Sequence, residues 1–145
     1  MAKKFTFRLE PLLRIRSHKQ EMAKQSLMQI ISLRQSKETE IAEKIDYCTQ
    51  LLRQKAVSSR ANELQSMVFH IEFVENQIKN LLKERAKILE IEQIKREAYN
   101  KAKKEEKILF KLKEKKQSEY NQLINKEEIL LLDEIAIRNF IHQES

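Results

Sequence analysis

From Leu12 to Ser145 the chain contains neither a glycine nor a proline, 134 consecutive residues without a strong backbone breaker. Glycine is the residue that reaches φ > 0 at no steric cost, so tight hairpin turns and αL helix caps lose their usual occupant. A glycine-rich loop to cradle a nucleotide phosphate is ruled out as well. Long helices remain open to such a chain. The composition agrees, because Ala, Glu, Lys, Leu and Arg make up 75 of the 145 residues. About half of a chain in those five types, with helical periodicity, marks coiled coils and very long helices.

The periodicity is there. An alternating 4/3 spacing picks out Leu27, Ile31, Arg34, Glu38, Ile41, Ile45, Cys48 and Leu52, an apolar seam with one polar break at Arg34 and Glu38. The next stretch, RQKAVSSRANE at 53–63, has no clear period. Ser58, Ser59 and Asn62 favour turns and caps, and Asn62 with Gln65 has the spacing of a capping box. The 4/3 spacing then resumes through Met67, Ile71, Val74, Ile78, Leu81, Arg85 and Ile88, and continues raggedly from Glu92 to Ile141. At the N-terminus, Pro11 suits a first helical turn, where its missing N–H would have no acceptor. Phe5 and Phe7 precede it, expected to be extended and folded against the helices.

The expected fold is all-α, two long helices forming an antiparallel coiled-coil hairpin in a single domain over 1–145. Helix 1 should cover about 9–56, the turn about 57–61 and the longer helix 2 about 62–142. With the turn near 60, position i faces about 120 − i. Leu27 then lies near Gln93, Leu52 near Met67 and Val68, and Glu38 near Arg85. Glu38 and Arg85 form either a polar layer that fixes register or two solvated flanks. Helix 1 runs out opposite about residue 110, leaving an overhang of about 30 residues, roughly 45–50 Å. That overhang carries Leu123, Ile124, Ile129, Leu130, Leu131, Leu132, Ile135, Ile137, Phe140 and Ile141. So much apolar surface on one helix implies a binding site or self-association.

Charge sharpens the asymmetry. The net +7 lies within residues 1–60, and 101–116 holds eight Lys against three Glu, whereas 117–145 holds two basic and six acidic residues. The register brings the basic stretches 4–19 and 101–116 side by side, which suits an acidic partner at that end. A solvated helix face is the plainer alternative. Glu105, Glu106 and Glu114 interrupt the second stretch, and no aromatic residues interleave to stack bases, which argues against nucleic acid.

Catalytic chemistry finds no foothold. His18, His70 and His142 are too scattered to form a metal cluster with Cys48, which sits on the seam as a small apolar side chain. Carboxylates such as Glu40 and Glu75 stand four residues before Lys44 and Lys79, the spacing of exposed helix pairs. A two-helix rod offers no cleft for acid–base work. No catalytic, cofactor or metal residues are expected, and no enzymatic activity. One cysteine suits a reducing compartment. No apolar run approaches the ~18 residues of a membrane span, and MAKKFTFRLE lacks the apolar core of a signal peptide. The expectation is a cytoplasmic protein, at most peripheral on a membrane.

Two blocks carry a family resemblance. KFTFRLEPLLRIRSHKQEMAKQSL resembles the start of the flagellar export protein FliJ family, with Phe5, Phe7, Arg8, Leu9, Glu10, Leu13, Arg16, Glu21 and Ala23 at the matching places. KREAYNKAKKEEKILFKLKEKKQSEY and LLDEIAIR are similar to its later part through Arg96, Tyr99, Ala102, Leu112, Lys115, Lys116, Tyr120, Asp133, Glu134, Ile135 and Ala136. The resemblance implies a non-enzymatic component of the bacterial flagellar type III protein export apparatus. It further implies a two-helix coiled coil similar to the central stalk subunit of rotary ATP synthases, inserted into the hexameric export ATPase FliI and promoting its assembly. Contacts with the export gate protein FlhA and with export chaperones are implied too, at the cytoplasmic face of the inner membrane and through protein partners only.

Carried over from the resemblance, Phe5, Phe7, Arg8, Leu9, Leu13, Arg16, Asp133 and Glu134 would serve the ATPase ring, and Leu123, Leu130, Ile137 and Ile141 of the apolar overhang join them as candidate partner-binding residues. Tyr47 and Val74 would serve the gate, although Glu40, Lys44, Leu51 and His70 depart from the family's residues around them. The alternatives are the stalk of a virulence type III secretion system and an unrelated coiled-coil scaffold or nucleic-acid-binding rod. A nucleic-acid binder would show strongly salt-sensitive affinity.

Overall fold

The computed structural model describes residues 4–57 and 60–144. It contains two helices, α1 (Glu10–Val57, 48 residues) and α2 (Ala61–Glu144, 84 residues), packed against each other as an antiparallel all-α hairpin. No described residue takes a positive φ, as befits a chain with no glycine to occupy that region. By contacts it divides into two compact units, Glu21–Lys101 and the combination of Met1–Gln20 with Ala102–Ser145.

Each helix starts where local chemistry allows. The Glu10 N–H donates to the Phe7 carbonyl at 3.1 Å and the Leu13 N–H to the Leu9 carbonyl at 2.9 Å. Pro11 therefore falls in the first turn, among N–H positions that have no intrahelical acceptor. The first bond of α2 runs from the Leu64 N–H to the Arg60 carbonyl at 3.0 Å. Asn62 thus sits inside the first turn and does not cap it, a correction to the capping-box expectation. Ser58 and Ser59, expected in the turn, lie outside the described residues.

In the unit Glu21–Lys101 the α2 seam follows its expected spacing, with Ile71, Val74, Leu81 and Ile88 buried. The α1 seam differs near its C-terminal end. Leu51 is buried at 7% exposure while Leu52 stands 47% exposed, and Ile45 is likewise exposed. Adjacent leucines satisfy the 4/3 and 3/4 orders equally well in sequence. Packing decides between them, because Cys48 and Leu51 meet Ile71 and Val74, with Ile78 against the cluster. Burial of such apolar side chains, at about 25 cal/mol per Å² of surface, is the main force holding the hairpin closed.

In the other unit Leu13 and Leu109 are buried. Lys113 Nζ lies 2.9 Å from Glu10 Oε2, and an Arg16 guanidinium N–H donates to the Glu105 main-chain carbonyl at 3.1 Å. The segment before α1 runs on along α2, where the rings of Phe5 and Tyr120 meet with centroids 5.5 Å apart. Partial burial on α2 consequently persists to Ile124, well past the expected limit near residue 110. The uncovered part is about 20 residues, roughly 30 Å of helix. The expectation went wrong because it ended the cover at the start of α1 and gave no reach to residues 4–9.

Candidate functional site

Within the terminal unit, the extended N-terminal segment and α2 form the walls of an open groove of about 700 Å³. Phe5, Phe7 and Leu9 from the segment and Leu112, Tyr120 and Leu123 from α2 supply its apolar lining, while Lys4, Arg8 and Lys116 supply cations. Alternation places Phe5, Phe7 and Leu9 half-buried toward the helix and Arg8 out in solvent, the period-2 pattern of an extended chain. Glu119 is the acidic lining residue, and Lys116 Nζ lies 3.8 Å from its carboxylate.

Beyond the groove no described segment covers α2. Leu130, Ile137 and Ile141 are 63%, 58% and 59% exposed, and Asp133 and Glu134 are exposed among them. Of the residues that the sequence pointed to for a ring partner, Phe5, Phe7, Arg8, Leu9 and Leu123 thus gather at the groove. Leu130, Asp133, Glu134, Ile137 and Ile141 follow on the bare helix. Leu13 lies in the core, and Arg16 is half-buried with its guanidinium on Glu105.

The residues suggested for a gate partner are both in the unit Glu21–Lys101, and they sit differently. Tyr47 is exposed, with its hydroxyl 2.7 Å from His70 Nε2 and the two rings edge-on at 5.6 Å. Val74 is 2% exposed, inside the hydrophobic cluster, so its side chain presents no surface. His70 is exposed. Phe69 and Phe73, one turn apart on α2, are exposed in the same unit and were missed in sequence. Aromatic residues off the seam spacing were the available signal.

The same unit holds a charged layer. An Arg85 Nε–H donates to Glu38 Oε1 at 3.1 Å, and Arg34 Nη1 donates to the same oxygen at 3.1 Å. Arg34 Nε also lies 2.7 Å from Glu92 Oε2, a charge contact without the alignment of a hydrogen bond. Arg96 Nη2 donates to Glu92 Oε1 at 3.1 Å, and Glu92 itself is 6% exposed. The expected Glu38–Arg85 layer is present and larger than expected. Hydrogen bonds from Arg85 and then Arg34 hold the Glu38 carboxyl below its ordinary range, and Glu38 in turn raises Arg34. Beside it Lys37 is raised by its contact with Glu84 at 2.9 Å. Only Glu92 of this group is buried, while Arg34, Glu38 and Arg85 are half-exposed, and a polar layer on a coiled-coil seam is the kind of device that fixes register.

Among the described residues no three His, Cys, Asp or Glu side chains stand close enough to share a metal ion, and Cys48 is a buried free thiol. No described helix is long and apolar enough to cross a membrane. Compared with protein families, residues 5–145 match the family described as Flagellar FliJ protein. Comparisons with curated proteins and with solved structures each found no match.

Proposed function

The chain belongs to the flagellar FliJ protein family, a family of flagellar export apparatus components, and from that premise we propose that it works as a stalk-like adaptor. In this proposal the groove formed by residues 4–9 on α2, together with the bare helix beyond it, engages the hexameric export ATPase, FliI, and promotes ring assembly. The face around Tyr47 engages the export gate protein, FlhA, and export chaperones complete the set of partners. The protein acts without enzymatic chemistry of its own, and reaches the cytoplasmic face of the membrane through these partners.

The observation that carries the reading is the bare end of α2. Leu130, Ile137 and Ile141 are more than half exposed on a helix end that no described segment covers, and water is a poor environment for it. A protein collar around this end would bury it from several sides at once. Opposed to that, the Tyr47 face is polar and aromatic, with the Tyr47–His70 bond already formed, which suits a smaller and more transient contact. The test is binding and ATPase stimulation by full-length chains carrying Leu130→Asp or Ile137→Asp. Loss of binding with intact helicity supports the assignment, and full retention of both removes it.

A further inference from the structure

The bare end of α2 and the groove beside it carry opposite charges that the chain itself leaves unmatched. Glu127, Glu128, Asp133 and Glu134 form no ion pair among the described residues, and neither do Lys4, Arg8, Lys111 and Lys115. The groove's acidic residue, Glu119, is already beside Lys116. The apolar side chains of the bare end also point in several directions. Leu130, Leu131 and Leu132 are successive, about 100° apart around the helix, and all are 57–64% exposed. A helix with apolar side chains on several sides gains from cover on more than one of them. The groove has the complementary make-up, an apolar lining with Lys4, Arg8 and Lys116 around it.

From this we infer that the terminal unit is a docking surface for a second copy of the same chain. The acidic, apolar end of α2 from one copy lies antiparallel along the groove of the other, and each copy gives what it receives. Such an exchange is isologous and closes as a dimer. A two-fold axis near residue 122 sets position i beside about 244 − i of the other copy. That register puts Asp133 beside the unpaired Lys111, Leu132 beside Leu112, and Glu128 beside Lys116, whose own contact with Glu119 is a long, exposed 3.8 Å one, joining opposite charges and apolar positions together. The alternative, parallel pairing of the two ends, would set acid against acid and leave the cations unmatched. The inference needs only this chain and does not rest on the proposed partners.

Sedimentation equilibrium of the full chain, from micromolar to submillimolar concentration and at two salt levels, tests it. The mass should rise from one chain to two with concentration, and the dimer should weaken as salt screens the charges. Two variants sharpen the test, Lys111→Glu with Lys116→Glu, and Glu128→Lys with Asp133→Lys. Each alone should dimerise roughly tenfold or more weakly, since reversal sets like charges together. An equal mixture of the two should recover the dimer, because each then supplies the charge that the other lacks. Circular dichroism of each variant checks that the helices remain. A chain that stays monomeric throughout, one that builds open-ended assemblies, or a dimer that both variants keep overturns the inference.

Discussion

Replacing Val74 with alanine separates a structural from a surface role for the residue most deeply placed in its unit. Val74 is 2% exposed and packs with Cys48, Leu51 and Ile71. The change removes two methyl groups, about 0.8 kcal/mol each by transfer, and leaves a small cavity that adds to the loss. Alanine's higher helix propensity returns about 0.5 kcal/mol. The net cost is about 1.5–2.5 kcal/mol, a sizeable part of the roughly 5–15 kcal/mol of a typical fold. Thermal melts followed by circular dichroism should shift down by about 3–10 °C for a chain of this size. Phe73→Ala, at the exposed neighbouring position, should stay within about 0.5 kcal/mol of the parent. The packing argument is refuted if Val74→Ala melts with the parent while Phe73→Ala is the costly change.

Three further outcomes are expected. Because Arg85 and Arg34 lower the Glu38 carboxyl, its contribution is complete above the unfolded value of about 4.3 and is lost as pH falls through the folded value. The parent's melting temperature should therefore drop more steeply than that of Glu38→Gln on acidification below about pH 5, and parallel curves would contradict the layer. Leu130→Asp and Ile137→Asp should weaken ATPase binding by tenfold or more, on the order of 1.4 kcal/mol, with melts unchanged, because both side chains are exposed. A sharp fall in melting temperature would mean that these residues have an internal packing role. Tyr47→Ala should reduce binding to the gate protein in a pull-down without altering helicity, and unchanged binding would remove Tyr47 from that role.

What was legible in the sequence follows from how local each signal was. The lack of glycine after a single early proline dictated helices, and the α2 spacing from Met67 to Ile88 found its buried face because one phase holds throughout. The α1 phase was ambiguous where Leu51 and Leu52 stand together, since only contact with Ile71 and Val74 distinguishes them. Glu92 read as an interruption of the seam. Its burial makes sense only with Arg34 brought across from the other helix, and Arg96 one turn ahead. Glu38 with Arg85 could be foreseen because a rough register sufficed to pair them. The groove could not, because residues 4–9 have no helical period to fix where they fold back, and the Phe5–Tyr120 contact is a tertiary event. The bare, acidic, apolar end was visible from composition alone, though about ten residues shorter than expected.

The most direct test of the stalk-like reading mixes the purified chain with the flagellar export ATPase of the same species and follows ATP hydrolysis and ring formation together. The account predicts that amounts of chain below one per ATPase subunit accelerate hydrolysis and raise the hexamer fraction, and that Leu130→Asp abolishes both effects. An active ATPase whose turnover and assembly are unchanged by the chain would contradict it.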